Sequence, residues 1–379
     1  MATLYFDAQA SGANDGTSEA DAFEDLQTAF NSISAGDTLY LKKQPSRIGS
    51  NGTDANMTVN IASSAGLQTQ IIGYGSTPGD GVRFETSDGI QVTTDFVFMA
   101  NIDLYISANQ PRGLRLQSDG GVLYNCVQDV AYAFGIGIEI VDSTAVKCWC
   151  RSTPGQTGNS AYRLNRGSMI DCYGEMVGSG GGSPVGIACA VGFRESRIQG
   201  CTVIDKRTSP HNSSVGISVT SVGHCYFMEF NRNTIIDFGG DGFNFDGGIP
   251  TGSNWSCAVS RNLVYNCGGY GFALGTGSNS RNNGIHLVGN ATGSCTSGAH
   301  DGNFAGYHDG LLLTNGVNPL TDYAPNTTSG GGVLISGTYG FPDVTDPNNA
   351  TRKQWGSYGA HNAEPGGGGS GGGTVGFAL

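Results

Sequence analysis

Apolar residues recur along this chain in short alternating runs, most of them opened by glycine. Gly89-Ile90-Gln91-Val92 is the first clear run, and Gly113-Leu114-Arg115-Leu116 and Gly137-Ile138-Glu139-Ile140 repeat it. Ser160-Ala161-Tyr162-Arg163-Leu164 is a weaker copy with Ser160 in the glycine place. Gly186-Ile187-Ala188-Cys189, Gly216-Ile217-Ser218-Val219, Gly242-Phe243-Asn244-Phe245 and Gly271-Phe272-Ala273-Leu274 follow. Strict alternation is the period of a strand with one buried face. The steps between copies are 24, 24, 23, 26, 30, 26 and 29 residues. Self-similarity at such a period marks a stacked-repeat architecture.

Two further stretches keep step with the first. One reads Val122-Leu123-Tyr124, Ala145-Val146-Lys147, Met169-Ile170-Asp171, Ser196-Arg197-Ile198 and Ala258-Val259-Ser260. The other begins at Cys126, Cys148, Cys172 and Cys201 and then at Asn233 and Asn262. One interior position is therefore Cys four times and Asn twice, and stacked identical side chains can share contacts along an axis. Three short strands joined by Gly, Ser, Asn and Asp turns make one coil of a parallel β-helix. Leucine-rich repeats, the rival at this period, need an L-x-x-L-x-L frame that is absent.

The N-terminus predicts a cap, because an open solenoid end is an unpaired sheet edge. Leu4-Tyr5-Phe6 reads as a strand and Ser11 to Thr17 as a turn-rich loop. Residues 22 to 33 carry Phe23, Leu26, Ala29, Phe30 and Ile33 on a helical stripe, and Gly36-Asp37-Thr38-Leu39-Tyr40-Leu41 returns as a strand. Strand, N-D-G-T loop, amphipathic helix and A-G-D-T-L-Y-L resemble the opening of right-handed parallel β-helix proteins of the pectate-lyase-like superfamily. With the repeats, the resemblance covers about residues 1–290 and implies an all-β right-handed parallel β-helix solenoid with an N-terminal amphipathic capping helix. The expected organisation is a cap over 1–45, a β-helix over 46–330, an irregular closing segment over 331–365 and a Gly-rich tether over 366–379. The closing segment resembles that of β-helix proteins found in phage virions. The tether ends in Val375, Phe377 and Leu379, an apolar plug expected to dock on a neighbouring subunit.

Composition narrows the picture. Glycine supplies 63 of 379 residues, far above the usual ~7%. A largely helical chain is unlike this, since each interior glycine would cost ~1 kcal/mol against alanine. Charged residues make up 13%, and 19 basic residues against 31 acidic give a net charge of −12. That balance disfavours nucleic acid and anionic membranes, which need clustered Lys and Arg, and a polyanionic substrate would need a local basic patch. No run of 18 apolar residues is present to span a bilayer. No signal peptide is read at the N-terminus, where a strand pattern begins at once. The even count of ten cysteines invites a disulfide reading, but the spacing of Cys126, Cys148, Cys172 and Cys201 fits one interior position repeated, held as reduced thiols.

Candidate chemistry is thin. The N-T-D, D-D, G-H-G and R-I-K motifs of the polygalacturonase branch are absent, so no catalytic residue carries over from it. Asp129, Glu175, Asp205 and Asp237 fall three or four residues past the ladder position, with Arg151, Lys206 and Arg207 nearby. Stacked coils could align them as acid and base or as a cation site, although solvated turns also favour Asp. If the chain is an enzyme, Asp205, Asp237, Glu175 and Lys206 are the catalytic candidates. Asp237, Asp241 and Asp246 form a weak metal candidate, as do His300-Asp301 and His308-Asp309. No cofactor is expected.

Two functions follow. The favoured one is a phage virion structural protein, a capsid-decoration or other particle-attached β-helix, located on the virion. Its expected partners are its own copies, as a homotrimer, other virion proteins and, as a candidate, a host-surface glycan. The alternative is a polysaccharide lyase or glycoside hydrolase, tailspike depolymerases included. The missing motifs tilt the reading away from catalysis, by analogy of fold rather than by a site.

Overall fold

The computed structural model describes residues 1–42, 48–49, 57–59, 67–74, 82–86, 89–106, 112–130, 135–153, 159–178, 182–189, 196–208, 212–219, 228–245, 257–274, 285–288, 290–301 and 306–308. They form an all-β parallel β-solenoid with nearly no helix. Every strand pairing between coils is parallel, in a first sheet of 19 strands and a second of 10. Leu114 pairs with Ile138, Ile138 with Tyr162, Tyr162 with Ile187 and Ile187 with Ile217, so the glycine-led runs lie side by side as the repeat demands. The same register places Ala161, not Ser160, opposite Gly137, since Ser160 pairs with Ile136.

Corners are set by single residues in the left-handed region. The first sheet bends at Gly120, Asp142 and Arg166 (φ 68, 53 and 55) within the long strands Arg112–Tyr124, Ile136–Val146 and Ser160–Ile170. A second corner carries Asn101, Asn125, Lys147, Asp171, Gly200, Arg232 and Arg261, all with φ between 52 and 65. That conformation is costly for non-glycine residues, so its recurrence on successive coils reflects a turn that the stack imposes.

The ladder position follows that second corner directly. Cys126, Cys148, Cys172 and Cys201 are buried free thiols. Cys148 Sγ lies 3.6 Å from Leu123 O and Cys172 Sγ 3.5 Å from Ala145 O, each on the preceding coil. Asn233 and Asn262 donate through Nδ2 to Ile198 O and Phe230 O at 2.8 and 3.0 Å, and each accepts the preceding ladder residue's backbone N–H on Oδ1. Asn290 continues the series, donating to Val259 O and accepting from Asn262 N, both at 2.9 Å.

Interior side chains form one continuous core, from Phe6 through Leu114, Ile138, Leu164, Ile187 and Phe230 to Leu287. Each fully buried aliphatic contributes about 1.5–3 kcal/mol. The helix is shorter than the apolar stripe, running Leu26–Ser32 with Leu26, Ala29 and Phe30 buried. Phe23 is instead held to the first strand, with its N–H on Tyr5 O and its carbonyl accepting from Asp7 N, both at 2.9 Å. Asp25 then starts the helix by accepting Thr28 N at 2.7 Å, a side-chain N-cap.

Candidate functional site

The second sheet positions the acidic residues singled out by the sequence. Its strands Val127–Val130, Trp149–Ser152, Tyr173–Met176 and Thr202–Asp205 pair Asp129 with Arg151, Arg151 with Glu175 and Glu175 with Ile204. Gln128, Cys150, Gly174 and Val203 alternate with them and face the solenoid interior. The outer face therefore carries Asp129, Arg151 and Glu175 as a ladder of alternating charge.

Glu175 is the centre. Arg151 Nε donates to its Oε1 at 2.7 Å, and Lys206 Nζ and Tyr173 OH donate to Oε2 at 2.7 and 2.9 Å. Arg151 Nη1 also stands 3.7 Å from Asp129 Oδ2. Lys206 Nζ lies 5.9 Å from the Tyr173 ring centre, and Trp149 packs on that ring with centroids 4.8 Å apart. The Glu175 side chain is 1% exposed, whereas Arg151 and Lys206 are 30% and 32% exposed. Burial pushes the Glu175 carboxyl up, but Lys206 and Arg151 outweigh it and hold the group below the usual glutamate range. Burial and the neighbouring Glu175 charge push the Tyr173 phenol well above its ordinary value. Glu175 is thus an ionised anchor already satisfied by three donors, and it fixes two cationic side chains that reach solvent.

The other candidates lie elsewhere. Asp205 pairs with Met176, one position away from Glu175, so it leaves the outer ladder. Its carboxylate takes Arg207 Nε and Nη2 at 2.8 and 2.6 Å, and both side chains are wholly buried. Arg207 Nη1 donates to Gly182 O at 3.0 Å, which closes the pair. Asp237 occupies a left-handed corner (φ 65) after the strand Thr234–Ile236 and accepts Asn266 Nδ2 at 2.7 Å. Burial raises its carboxyl above the usual aspartate value. Of the four catalytic candidates, the structure joins only Glu175 and Lys206.

Among the weak metal candidates, Asp241 and Asp301 are used by the fold. Asp241 accepts Tyr270 N and Asn244 Nδ2 at 2.8 Å each, and Asp301 accepts Leu274 N at 2.7 Å. Among the described residues no three His, Cys, Asp or Glu side chains converge on a metal-sized site. Asp246, Asp309, Val375, Phe377 and Leu379 lie outside the described residues, as does the whole expected closing segment and tether.

A second charged ladder escaped the sequence reading. On the first sheet Gln91 pairs with Arg115, Arg115 with Glu139 and Glu139 with Arg163. Arg115 Nε lies 3.1 Å from Glu139 Oε2, and Asn165 Nδ2 donates to Oε1 at 3.2 Å. Each of Arg115, Glu139 and Arg163 is the polar member of a glycine-led or related run, so the repeat itself carried the signal.

No protein-family model and no curated protein matches the chain. Solved structures do resemble it. The crystal structure of pectate lyase Pel9A superposes with a TM-score of 0.56 at 14% identity, over 79% of this chain and 78% of that one. The alginate lyase from Paenibacillus sp. str. FPU-7 gives 0.50 at 12% identity, over 77% of this chain and 96% of that one. At these identities the likeness establishes a pectate-lyase-like β-helix fold.

Proposed function

We propose that this chain is a polysaccharide-active β-helix protein that engages an acidic glycan through Arg151 and Lys206. One observation carries the reading: a buried, ionised Glu175 holds these two partly exposed cations within hydrogen-bond reach of a single carboxylate. Glu175 and Asp129 offset the charge of the pair, so Arg151 and Lys206 offer an acidic glycan directed, partly exposed N–H donors rather than net positive charge. The fold likeness to a pectate lyase and an alginate lyase supports the same reading. It favours the enzyme alternative over a structural role on a virus particle.

The chemistry that fits best is β-elimination on a uronate-containing chain. In that reaction a base takes the proton from the carbon next to the uronate carboxylate. The glycosidic oxygen leaves the following carbon and is protonated, and cations on the carboxylate stabilise the negative charge that develops in between. Hydrolysis would need a carboxyl held protonated to act as the acid beside a second carboxylate. Glu175 is held ionised, and Asp237, whose carboxyl burial raises, bonds to Asn266 and is not joined to the Glu175 cluster. The test is to incubate the full chain with polygalacturonate and with alginate while following the ultraviolet absorbance of the unsaturated uronide product. A neutral glucan with a reducing-end assay serves as control. Uronide formation that falls at least tenfold in Arg151→Ala and Lys206→Met supports the proposal. Cleavage of the neutral glucan only, or no binding of either acidic polymer, would overturn it.

A further inference from the structure

The strands Leu263–Tyr265 and Ala291–Gly293 pair as Leu263 with Ala291, Val264 with Thr292 and Tyr265 with Gly293. Both then turn through one left-handed residue, Asn266 (φ 55) and Ser294 (φ 53). Asn266 N donates to Gly293 O, and Thr296 N to Cys267 O, both at 2.9 Å. The register therefore runs through the corner and sets Cys267 against Cys295 on the next coil. Neighbouring parallel strands lie ~4.7–4.9 Å apart, inside the ~4.4–6.8 Å between Cα atoms that a disulfide spans. The Cys267 thiol lies 3.8 Å from Tyr265 O and the Cys295 thiol 3.6 Å from Gly293 O, the equivalent carbonyl on the next coil. Cys267 is buried, while Cys295 is half-buried and reaches the surface.

The interior thiol ladder makes the contrast. Cys148 and Cys172 also sit on adjacent coils, next to the paired Trp149 and Tyr173. They are 0% and 1% exposed, and burial pushes both thiols far above the ordinary range. A dissolved oxidant has no path to them and no thiolate to meet.

We propose that Cys267 and Cys295 form an oxidisable dithiol that closes to a coil-to-coil disulfide when a low-molecular-weight disulfide is present. Cys295 attacks first, because it is the less buried member and the adjacent Cys267 holds its thiol below the ordinary range. Its sulfur displaces one thiolate from the small disulfide and carries the other half as a mixed disulfide. Cys267 then loses its proton and attacks the Cys295 sulfur, expelling the second thiolate. Two protein thiols are oxidised and one small disulfide is reduced to two thiols, so the electrons balance. The product staples coil to coil beside the Asn262–Asn290 hydrogen bonds.

The experiment uses the folded full chain with oxidised glutathione, followed by intact mass and by peptide mapping after alkylation. The expected result is a loss of two hydrogens per chain and a crosslink between the peptides that hold Cys267 and Cys295. Cys267→Ser should instead keep one glutathione on residue 295, and Cys295→Ser should show neither product. A glutathione that persists on Cys295 while Cys267 stays alkylatable would overturn the proposal. So would a crosslink to any other cysteine as the main product, or no reaction short of unfolding.

Discussion

Gly113 has no side chain because Gln128 occupies the space where its Cβ would stand. A methyl at 113 would overlap the Gln128 carboxamide, whose Oε1 instead accepts Leu114 N at 2.9 Å. The same opposition repeats along the axis. Gly137 faces Cys150, Gly186 faces Val203, Gly216 faces Ile235 and Gly242 faces Val264. One coil inverts it: Ala161 stands in the glycine column, and Gly174 faces it from the second sheet, 3.3 Å from Ala161 Cβ to an added Cβ. Tyr162 then reaches over Gly174 and donates to Cys148 O and Tyr173 O at 2.8 and 2.7 Å. Two sheets of a narrow solenoid can each carry bulk at this level only where the other yields.

This opposition predicts a non-additive pair. Gly113→Ala alone should destabilise by roughly 1–3 kcal/mol through overpacking. In a Gln128→Ala background the same change should cost well under half as much, because the colliding carboxamide is gone. Urea denaturation of the two single variants and the double variant measures the coupling. Equal costs in both backgrounds would show that the glycine is kept for another reason.

The column also shows what the sequence could and could not reveal. Period, strand alternation and parallel stacking were legible because every coil repeats them, and the Cys-then-Asn ladder was legible for the same reason. Asn290 was missed although it lies 28 residues beyond Asn262, since its strand Ala291–Gly293 lacks the apolar run of its neighbours. The helix start was misplaced because a parallel bridge to Phe6 and a helix turn both bury an apolar side chain, and Phe23 belongs to the first. The site was only half legible. Spacing of three or four residues past the ladder looks alike in sequence, but a shift of one residue in a strand changes the face. That shift parts Asp205 from Glu175.

Asp205 and Arg207 should behave as a structural pair. With both side chains wholly buried, removing one partner leaves an uncompensated charge, which costs on the order of 3–5 kcal/mol. Asp205→Asn and Arg207→Ala should each lower the urea midpoint sharply. A double Asp205→Leu, Arg207→Met variant should recover most of the loss. If Asp205→Asn keeps its midpoint, the pair contributes little and the residue is open to another role.

Glu175 should leave a mark on the pH dependence of stability. Its carboxyl is held below the ordinary range, near ~4.3 for glutamate in unfolded chains. The unfolded chain therefore binds this proton at a higher pH than the folded one does, and stability rises with pH across that window. The contribution is full above ~4.3 and is lost as pH falls through the folded value. Asp171 and Asp237, both raised by burial, act in the opposite sense, so stability from them falls as pH rises past the ordinary aspartate value. Subtracting Glu175→Gln from the native protein isolates the first effect. The difference in urea midpoint should shrink steadily on acidification below the glutamate range, and a difference that does not vary with pH would contradict the assignment.

The ladder supplies the last prediction, because it uses two chemistries at one position. Asn262 donates to Phe230 O and Asn290 Oδ1 and accepts from Asn233 N and Asn233 Nδ2, all within a fully buried site. Leucine would fill much of the same volume but leave Phe230 O and Asn233 N without this partner, while Asn290 Oδ1 keeps the backbone N–H of residue 262. Each orphaned buried group costs about 1–3 kcal/mol, so Asn262→Leu should be severe and could prevent folding. Cysteine is the informative substitution. A thiol at 262 keeps a weak donor directed at Phe230 O, as Cys172 does toward Ala145 O at 3.5 Å, although Asn233 N loses its acceptor. Asn262→Cys should therefore fold and fall between the native protein and the leucine variant in urea midpoint. The reverse change, Cys172→Asn, puts a larger amide where only a thiol fits, with Tyr162 and Met169 packed into the same core, and should destabilise by overpacking. Should Asn262→Cys prove as damaging as Asn262→Leu, the two halves of the ladder do not share one hydrogen-bonding logic, and the cysteines serve as small apolar filler alone.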